Sequence, residues 1–269
     1  MLDRLLASEA KPGRRVAWLL LALALIAAIG AGAASAELTQ RGNLFVRFDG
    51  GISPRALPRA ALAPIGVRIE GAIKVPAGQQ SPSLRRIKIA LNRAGHLDTQ
   101  GLPRCRRNRI DSVASSEALA ACGTSLVGAG GIVARTALPN QQPTTVRGEV
   151  LLFNGVASGQ PVILAHIYQA DTPATRVIVF KIHRGGGAFG TVITGEVPPS
   201  ANRNGYLESI FLQLERRYVF RGRQRSYLSA ACSAPAGFPG ATFPFARASM
   251  SFDDGRTLSS TLVRNCRVK

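Results

Sequence analysis

Hydrophobic and polar residues alternate along most of the chain, which is the pattern of β-strands with one buried face. In the stretch at 43–49, for example, Leu44, Val46 and Phe48 fall on one face and the intervening residues on the other. The same period, or a short run rich in Val, Ile and Leu, predicts strands at 43–49, 65–75, 86–91, 146–153, 162–169, 176–183, 189–197, 226–232, 246–252 and 257–263.

Three segments need separate treatment. Gly50 and Gly51 are expected to end the first strand, and the Gly-rich stretch at 125–134 indicates a β-bulge or a close approach of two backbones. The stretch at 206–222 fits a helix face over part of its length, but a two-residue period runs longer. We therefore predict one strand there, with its inward positions at Ile210, Leu212, Leu214, Tyr218 and Phe220.

The stretch at 101–131 interrupts the strands. It contains Cys105 and Cys122, and the sixteen residues between them include a short Ala-rich patch with helical character at 114–121. These features predict a disulfide-closed corner between two strands, with an architectural role.

About a dozen short strands, frequent turns and one weak helix predict an all-β fold, either an antiparallel β-sandwich or a partly open barrel. Asp253, Asp254 and Gly255 are expected to form a hairpin turn between the last two strands. Residues 37–269 are interpreted as one domain, with two lobes meeting near Pro198 as the alternative.

Residues 1–36 have the features of an export signal. A basic start precedes an apolar run at 16–28, and Ala34 and Ala36 match the pattern that precedes signal cleavage, here before Glu37. The alternative is an uncleaved N-terminal anchor helix, because residues 16–34 carry no charge and are just long enough to span a bilayer. Either way, the rest of the chain is expected outside the cytoplasm, secreted or held at the cell surface.

Four cysteines that follow an export signal are most simply explained by two disulfide bonds. Of the three pairings, we favour Cys105–Cys122 and Cys232–Cys266, because each pair brackets a local unit. Free buried thiols are the alternative. On the chain-entropy model these two bridges would contribute on the order of 3 and 4 kcal/mol to stability.

Several motifs occur together in a characteristic order: NLFVRFDGGISPRALPR, GLPRC, CGTSLVGAGG, SYLSAACSAP and FDDGRTLSSTLVRNC. In this respect the chain resembles a group of secreted bacterial proteins that are rich in β-structure and contain two disulfides. The resemblance extends over nearly all of the chain beyond the leader. It implies a secreted, disulfide-containing β fold, and it carries over no activity and no functional residue.

The chain is strongly basic, with a net formal charge of +19 and a pI of about 11.4. Such an excess favours contact with anionic polymers, membranes or nucleic acid. All but five of the 34 basic residues are arginine, a bias that is also typical of GC-rich genomes. The charge is therefore either functional or compositional.

Arginine and aromatic residues alternate in one region, a combination that can stack on rings and pair with phosphates. The binding residues predicted there are Arg216, Arg217, Arg221, Arg223, Arg225, Tyr218 and Tyr227. A second basic cluster surrounds the first predicted disulfide and consists of Arg104, Arg106, Arg107 and Arg109.

Signals for catalysis and metal binding are weak. The chain has no GxSxG motif and no CxxC, and His96, His166 and His183 lack ligand spacing. A glycine-rich hairpin explains the sequence at 183–187 better than an oxyanion loop does, and Asp253 and Asp254 are expected to cap backbone N–H groups. We predict no catalytic residue, no metal and no cofactor.

We expect a non-enzymatic β module, secreted or held in the cell envelope, with an arginine-rich face that contacts an anionic envelope polymer or an envelope protein. Nucleic acid is not an expected partner in vivo, and the membrane is expected to be contacted only through the N-terminal segment. The alternative is a secreted hydrolase that acts on glycans or esters, with a site assembled from separate strands.

Overall fold

The computed structural model describes residues 36–136, 143–171, 173–198 and 205–269. The predicted leader, apart from Ala36, lies outside the described residues. From Ala36 onward the chain forms one compact unit. Within the described ranges, no helix has the length and apolar character needed to cross a bilayer.

The prediction of an all-β fold is confirmed, since 64% of the structure is strand and almost none is helix. The strands of the first half are β1 (Glu37–Arg41), β2 (Leu44–Ser53), β3 (Ala56–Leu57), β4 (Ala63–Pro64), β5 (Gly66–Lys74), β6 (Leu84–Asn92), β7 (Gly95–Leu97), β8 (Cys105–Arg106) and β9 (Leu126–Thr136). The strands of the second half are β10 (Thr144–Ala157), β11 (Gln160–Gln169), β12 (Ala174–Arg184), β13 (Phe189–Glu196), β14 (Tyr206–Leu214), β15 (Arg217–Phe220), β16 (Arg223–Ser226), β17 (Leu228–Ala230), β18 (Gly240–Phe252) and β19 (Thr257–Val268).

Fourteen of these strands form one sheet that curls into a half-barrel. Its order is β1-β2-β5-β14-β9-β10-β11-β12-β13-β6-β18-β19-β3, and β8 pairs in addition with β10. Neighbouring strands run antiparallel except for the short pairs β8–β10 and β3–β19. Two small sheets accompany the half-barrel: the hairpin β15–β16 and the three-stranded sheet β4-β17-β7.

The two ends of the curled sheet come together through side chains. The buried guanidinium of Arg264 on β19 donates to the carbonyl oxygen of Gly50 (2.6 Å) and pairs with Asp49 of β2 (2.5 Å). Arg256, just before β19, donates to the side chain of Asn43 (2.6 Å). The first and last long strands are therefore held side by side without a backbone ladder between them.

Because successive long strands alternate in direction, the half-barrel has two distinct poles. The ends of β1, β5, β9, β11, β13 and β18 lie at one pole, which we call the open pole because the described residues leave its concave face uncovered. The opposite pole receives the chain from the ends of β2, β6, β10, β12, β14 and β19.

Residues 227–234 fill the concave face at this second pole, and we call them the plug. Tyr227, Leu228 and Cys232 are buried there among side chains of β2, β5, β18 and β19. Backbone hydrogen bonds hold the plug, for example from Ile65 N–H to the carbonyl oxygen of Leu228 (3.0 Å). The disulfide between Cys232 and Cys266 ties it to β19. The plugged pole is thus closed by the chain itself.

The predicted corner lies on the convex face. It contains the one α-helix of the described residues, α1 (Ser115–Cys122), between short 3-10 turns at Arg107–Arg109 and Gly123–Ser125. Cys105 and Cys122 are disulfide-bonded, so both predicted pairings are confirmed. The corner buries outward-facing apolar residues of β10, β11 and β12, which explains why these strands are hydrophobic on both faces.

The structure corrects two of the strand predictions. Gly50 and Gly51 do not end β2, which continues to Ser53 in register with β5, where a Cβ at Gly50 would lie 2.6 Å from the carbonyl oxygen of Arg68. The stretch at 206–222 is not one strand, since β14 ends at Leu214 and a separate hairpin follows.

The Gly-rich stretch is β9, and it shows both features that glycine indicated. The register with β10 shifts between Leu152 and Phe153, which marks an irregularity of the bulge type. A Cβ at Gly130 would lie 1.9 Å from the carbonyl oxygen of Phe211 on β14. Two backbones therefore approach too closely at this point for any other residue.

Candidate functional site: an arginine surface at the plugged pole

The hairpin β15–β16 presents most of the predicted binding arginines. Its strands are joined by the two-residue turn Arg221-Gly222, and both residues have positive φ (51° and 72°). That backbone conformation is the one that two-residue hairpins favour, and glycine tolerates it best. Arg221 therefore lies at the tip of the hairpin, next to Arg223 on the returning strand.

Contacts with the loop at 98–101 hold the hairpin in place. Phe220 covers Gly101, where an added Cβ would lie 2.1 Å from the ring. The hydroxyl of Tyr218 donates to the carbonyl oxygen of Gln100 (2.8 Å), and Arg225 forms an ion pair with Asp98 (2.8 Å). The hairpin is therefore packed against the chain segment that leads into the disulfide corner.

This packing brings the two basic clusters of the sequence together. Arg104 follows the segment that Phe220 covers by only three residues, and Arg216 reaches the carbonyl oxygen of Thr124, directly after the corner helix (3.4 Å). We call the combined set the arginine surface: Arg104, Arg106, Arg107, Arg109, Arg216, Arg217, Arg221, Arg223 and Arg225.

Carboxylates neutralise only part of the arginine surface. Besides Arg225, Arg107 pairs with Asp111 (3.3 Å) and Arg217 pairs with Glu215 (3.5 Å). The members that are exposed and pair with no carboxylate of the described residues are Arg104, Arg106, Arg109, Arg221 and Arg223. The surface therefore keeps an excess of positive charge in contact with solvent.

The two tyrosines predicted to bind are packed into the fold. Tyr218 is half-buried, and burial, with a further contribution from Asp98 that Arg225 partly offsets, raises the pKa of its hydroxyl. Tyr227 belongs to the plug and is completely buried, so its prediction as a binding residue is wrong. Among the described residues its hydroxyl has no hydrogen-bond partner, and burial strongly raises its pKa. The polar–apolar alternation around it did not distinguish an inward from an outward ring.

The remaining polar candidates have local explanations. His166 is fully buried beneath the corner, with Nε2 3.0 Å from the carbonyl oxygen of Val113. Asp253 accepts a hydrogen bond from Ser83 N–H (2.9 Å), and Asp254 accepts one from Arg256 N–H (3.0 Å), which is the capping role predicted for this turn. Among the described residues, no group of three His, Cys, Asp or Glu side chains is arranged to hold a metal ion.

Sequence reasoning missed one feature, a cavity of about 260 Å³ in the concave face at the open pole. Its walls come from β6, β9, β10, β11, β12 and β14. No motif marks it, because each strand contributes only two to four ordinary core residues, and these meet only when the sheet curls.

Comparisons with protein-family models, with curated proteins and with solved structures find no match for this chain. A function for the half-barrel therefore has to be argued from its own surfaces and cavities. The arginine surface and the open-pole cavity are two such features.

Proposed function

We propose that this protein is a non-enzymatic binding module of the cell exterior that uses the arginine surface to contact an anionic envelope polymer. The observation that supports the proposal is the convergence of two arginine clusters, distant in sequence, on one pole. Five of their members are exposed and without a carboxylate partner among the described residues.

Clustering matters because like charges repel each other. Guanidinium groups gathered on one surface raise the local potential and attract polyanions from solution. Arginine is also suited to the contact, since its planar fork donates two parallel hydrogen bonds to a phosphate or carboxylate. A cluster that costs repulsion in the free protein is stabilised when a polyanion binds to it.

The hairpin that carries part of the arginine surface is held in place, which favours binding because its arginines are already ordered. Arg221 lies over the ring of Phe220, 5.2 Å from its centre, and Phe220 is itself packed on Gly101. The hairpin carries its arginines on two paired strands, so less side-chain and backbone freedom is lost when a polymer binds.

The location outside the cytoplasm is part of the proposal. Two disulfides are compatible with an oxidising environment. The export signal, the position in the envelope and the likeness to secreted bacterial two-disulfide proteins remain predictions from the sequence. The hydrolase alternative gains no specific observation, since no His, Cys, Asp or Glu lines the open-pole cavity in the described part of the chain.

Retention on immobilised polyphosphate tests the proposal. The double variant Arg221→Gln/Arg223→Gln should elute at a distinctly lower salt concentration than the unmodified protein, because contacts between exposed charges are screened by salt and each lost contact weakens them further. In the described residues the hairpin is held by its backbone ladder and by Tyr218 and Arg225, not by the side chains of Arg221 or Arg223, so the fold is expected to persist.

A matched control separates the surface from the overall charge. Arg147→Gln/Arg184→Gln removes the same charge from two exposed positions outside the arginine surface. We expect this control to elute close to the unmodified protein. Equal losses for the two double variants would show that only net charge matters, and retention indifferent to salt would contradict the proposal altogether.

A further inference from the structure

The open-pole cavity is lined mainly by apolar side chains of the concave face. Val150, Leu152, Ala165 and Ile178 form its buried base, and half-buried residues extend the walls toward the open pole. These wall residues are Ile87, Ile132, Ile167, Phe180, Val197, Leu207, Ile210 and Leu212. The volume, about 260 Å³, is close to the lower end of the range of small-molecule pockets, roughly 300–1,000 Å³.

The apolar walls of this cavity are less well covered than the rest of the concave face. At the plugged pole the same concave face is covered by the plug, whereas at the open pole the described residues leave Ile132, Ile167, Ile210 and Leu212 only partly buried. Apolar surface in contact with water is unfavourable, at roughly 25 cal/mol per Å². An apolar ligand that filled the cavity would remove this cost.

The polar residues of the cavity lie where the strands end at the open pole. Gln169 is the last residue of β11, and Tyr206 is the first residue of β14. Arg176 on β12 lies opposite Ile167 and on the same side of its strand as Ile178, so its side chain faces the concave surface. Its guanidinium donates to the carbonyl oxygen of Pro198 (2.9 Å), which fixes it at this end.

The basic side chain that the strand pattern directs toward the cavity is Arg176. Arg176 and Arg135 line the cavity, and its described lining contains no carboxylate. Arg135 pairs with Glu208 (3.2 Å), which lies outside the lining, so Arg176 is the arginine proposed to meet a ligand. An apolar interior with cationic and hydrogen-bonding groups at one end matches a molecule with an alkyl chain and an anionic head.

We propose that the open-pole cavity binds a single-chain amphiphile with an anionic head, such as a fatty acid. The alkyl chain lies against Leu152, Ala165 and Ile178, and the head reaches Arg176 at the opening. The site is separate from the arginine surface, and its ligand does not depend on the function proposed for that surface. The two proposals can therefore fail independently.

Displacement of a fluorescent fatty acid from the full chain, with dodecanoate as competitor, tests the proposal. Dodecanoate should displace the probe, and dodecanol, which has the same chain without the charge, should do so about tenfold less well, because hydrogen bonds to charged groups are the stronger ones. Arg176→Gln should weaken dodecanoate about tenfold and leave dodecanol nearly unchanged. Arg147→Gln, an exposed arginine on the convex face, is the matched control and should change neither.

Two filling variants test the location. Ala165→Phe places a ring in the base of the cavity, and Ala134→Phe does so at a half-buried position nearer the opening. Either should lower probe binding at least tenfold while cooperative thermal unfolding is retained, and the second variant keeps the test decisive if the first does not fold. Absence of probe binding, or binding that survives Ala134→Phe in the folded protein, would overturn the site. Equal binding of dodecanol and dodecanoate would overturn the anionic head.

Discussion

The two poles of the half-barrel are built from the same strands but treat the concave face differently. At the plugged pole, residues 227–234 turn back into the sheet, are bridged to β19 and bury Tyr227 completely. At the open pole the strands end around an apolar cavity with arginine at its rim. At the plugged pole a dedicated chain segment covers the concave face, whereas at the open pole no described residue covers it in the same way.

The poles also differ in where they place charge. At the plugged pole the arginines lie on the hairpin β15–β16 and on the disulfide corner, and they point outward. The open pole directs Arg176 toward the concave face. The first arrangement is suited to an extended polyanion, and the second is suited to one small anionic group.

The largest expected effect comes from the disulfides, both of which anchor segments near the plugged pole. Cys232→Ala/Cys266→Ala should lower the free energy of unfolding by about 4 kcal/mol, and Cys105→Ala/Cys122→Ala by about 3 kcal/mol, because the longer loop gains more entropy in the unfolded chain. Urea unfolding measures both values. A larger loss of unfolding free energy for Cys105→Ala/Cys122→Ala than for Cys232→Ala/Cys266→Ala would contradict this order, and would mean that the disulfide of the corner stabilises the fold more than that of the plug.

A smaller effect should distinguish tight from loose packing. Ala246→Leu, buried between Leu91 and Leu262, is expected to cost about 1–3 kcal/mol, because extra methyl groups at a buried position force its neighbours to shift. Ala165→Leu points into the cavity and should change stability by less than about 1 kcal/mol. Urea unfolding of the two variants side by side gives the comparison, and equal costs would show that the cavity is not available space.

The smallest effect concerns the hydroxyl of Tyr227. It is buried with no hydrogen-bond partner in the described part of the chain, so Tyr227→Phe should leave stability at pH 7 unchanged or raise it by up to about 1 kcal/mol. Retention on polyphosphate should not change, since the ring lies inside the plug. A loss of stability at pH 7 would mean that the hydroxyl makes a contact that stabilises the fold.

The same residue has a predictable pH dependence. Burial raises the pKa of Tyr227 in the folded protein, so its stabilisation is complete below the unfolded value, near 10, and is lost as pH rises through the folded value. Stability should therefore decline above about pH 10 less steeply in Tyr227→Phe than in the unmodified protein. Unfolding curves at several alkaline pH values measure the difference.

Strand positions and disulfides were predictable because they depend on local patterns. The alternation at 43–49 and the Asp253-Asp254-Gly255 turn reflect the immediate neighbours of each residue, and Cys105–Cys122 closes a short loop. The order of strands in the sheet was not predictable, since β14 pairs with β5 and β9 through contacts between distant segments. The break after Leu214 was missed because the two-residue period continues through the hairpin.

The candidate site shows the same limit. The arginines around Tyr218 were recognisable as a cluster, but their union with Arg104 and Arg106 depends on how Phe220 packs on Gly101. Tyr227 was assigned to the wrong side because a strand pattern alone does not say which face the rest of the chain will cover. The cavity left no local signal at all.

The meeting of β2 and β19 through Arg264 and Asp49 has a consequence for behaviour at high concentration. A strand at the margin of a sheet normally offers its N–H and C=O groups to any other extended chain, which is how many β proteins begin to aggregate. Here β1 covers β2 only as far as Phe48 and β3 covers β19 only from Arg267, and the Arg264–Asp49 pair holds the remaining stretches of β2 and β19 against each other. Loss of that pair should make these two stretches more accessible to another extended chain.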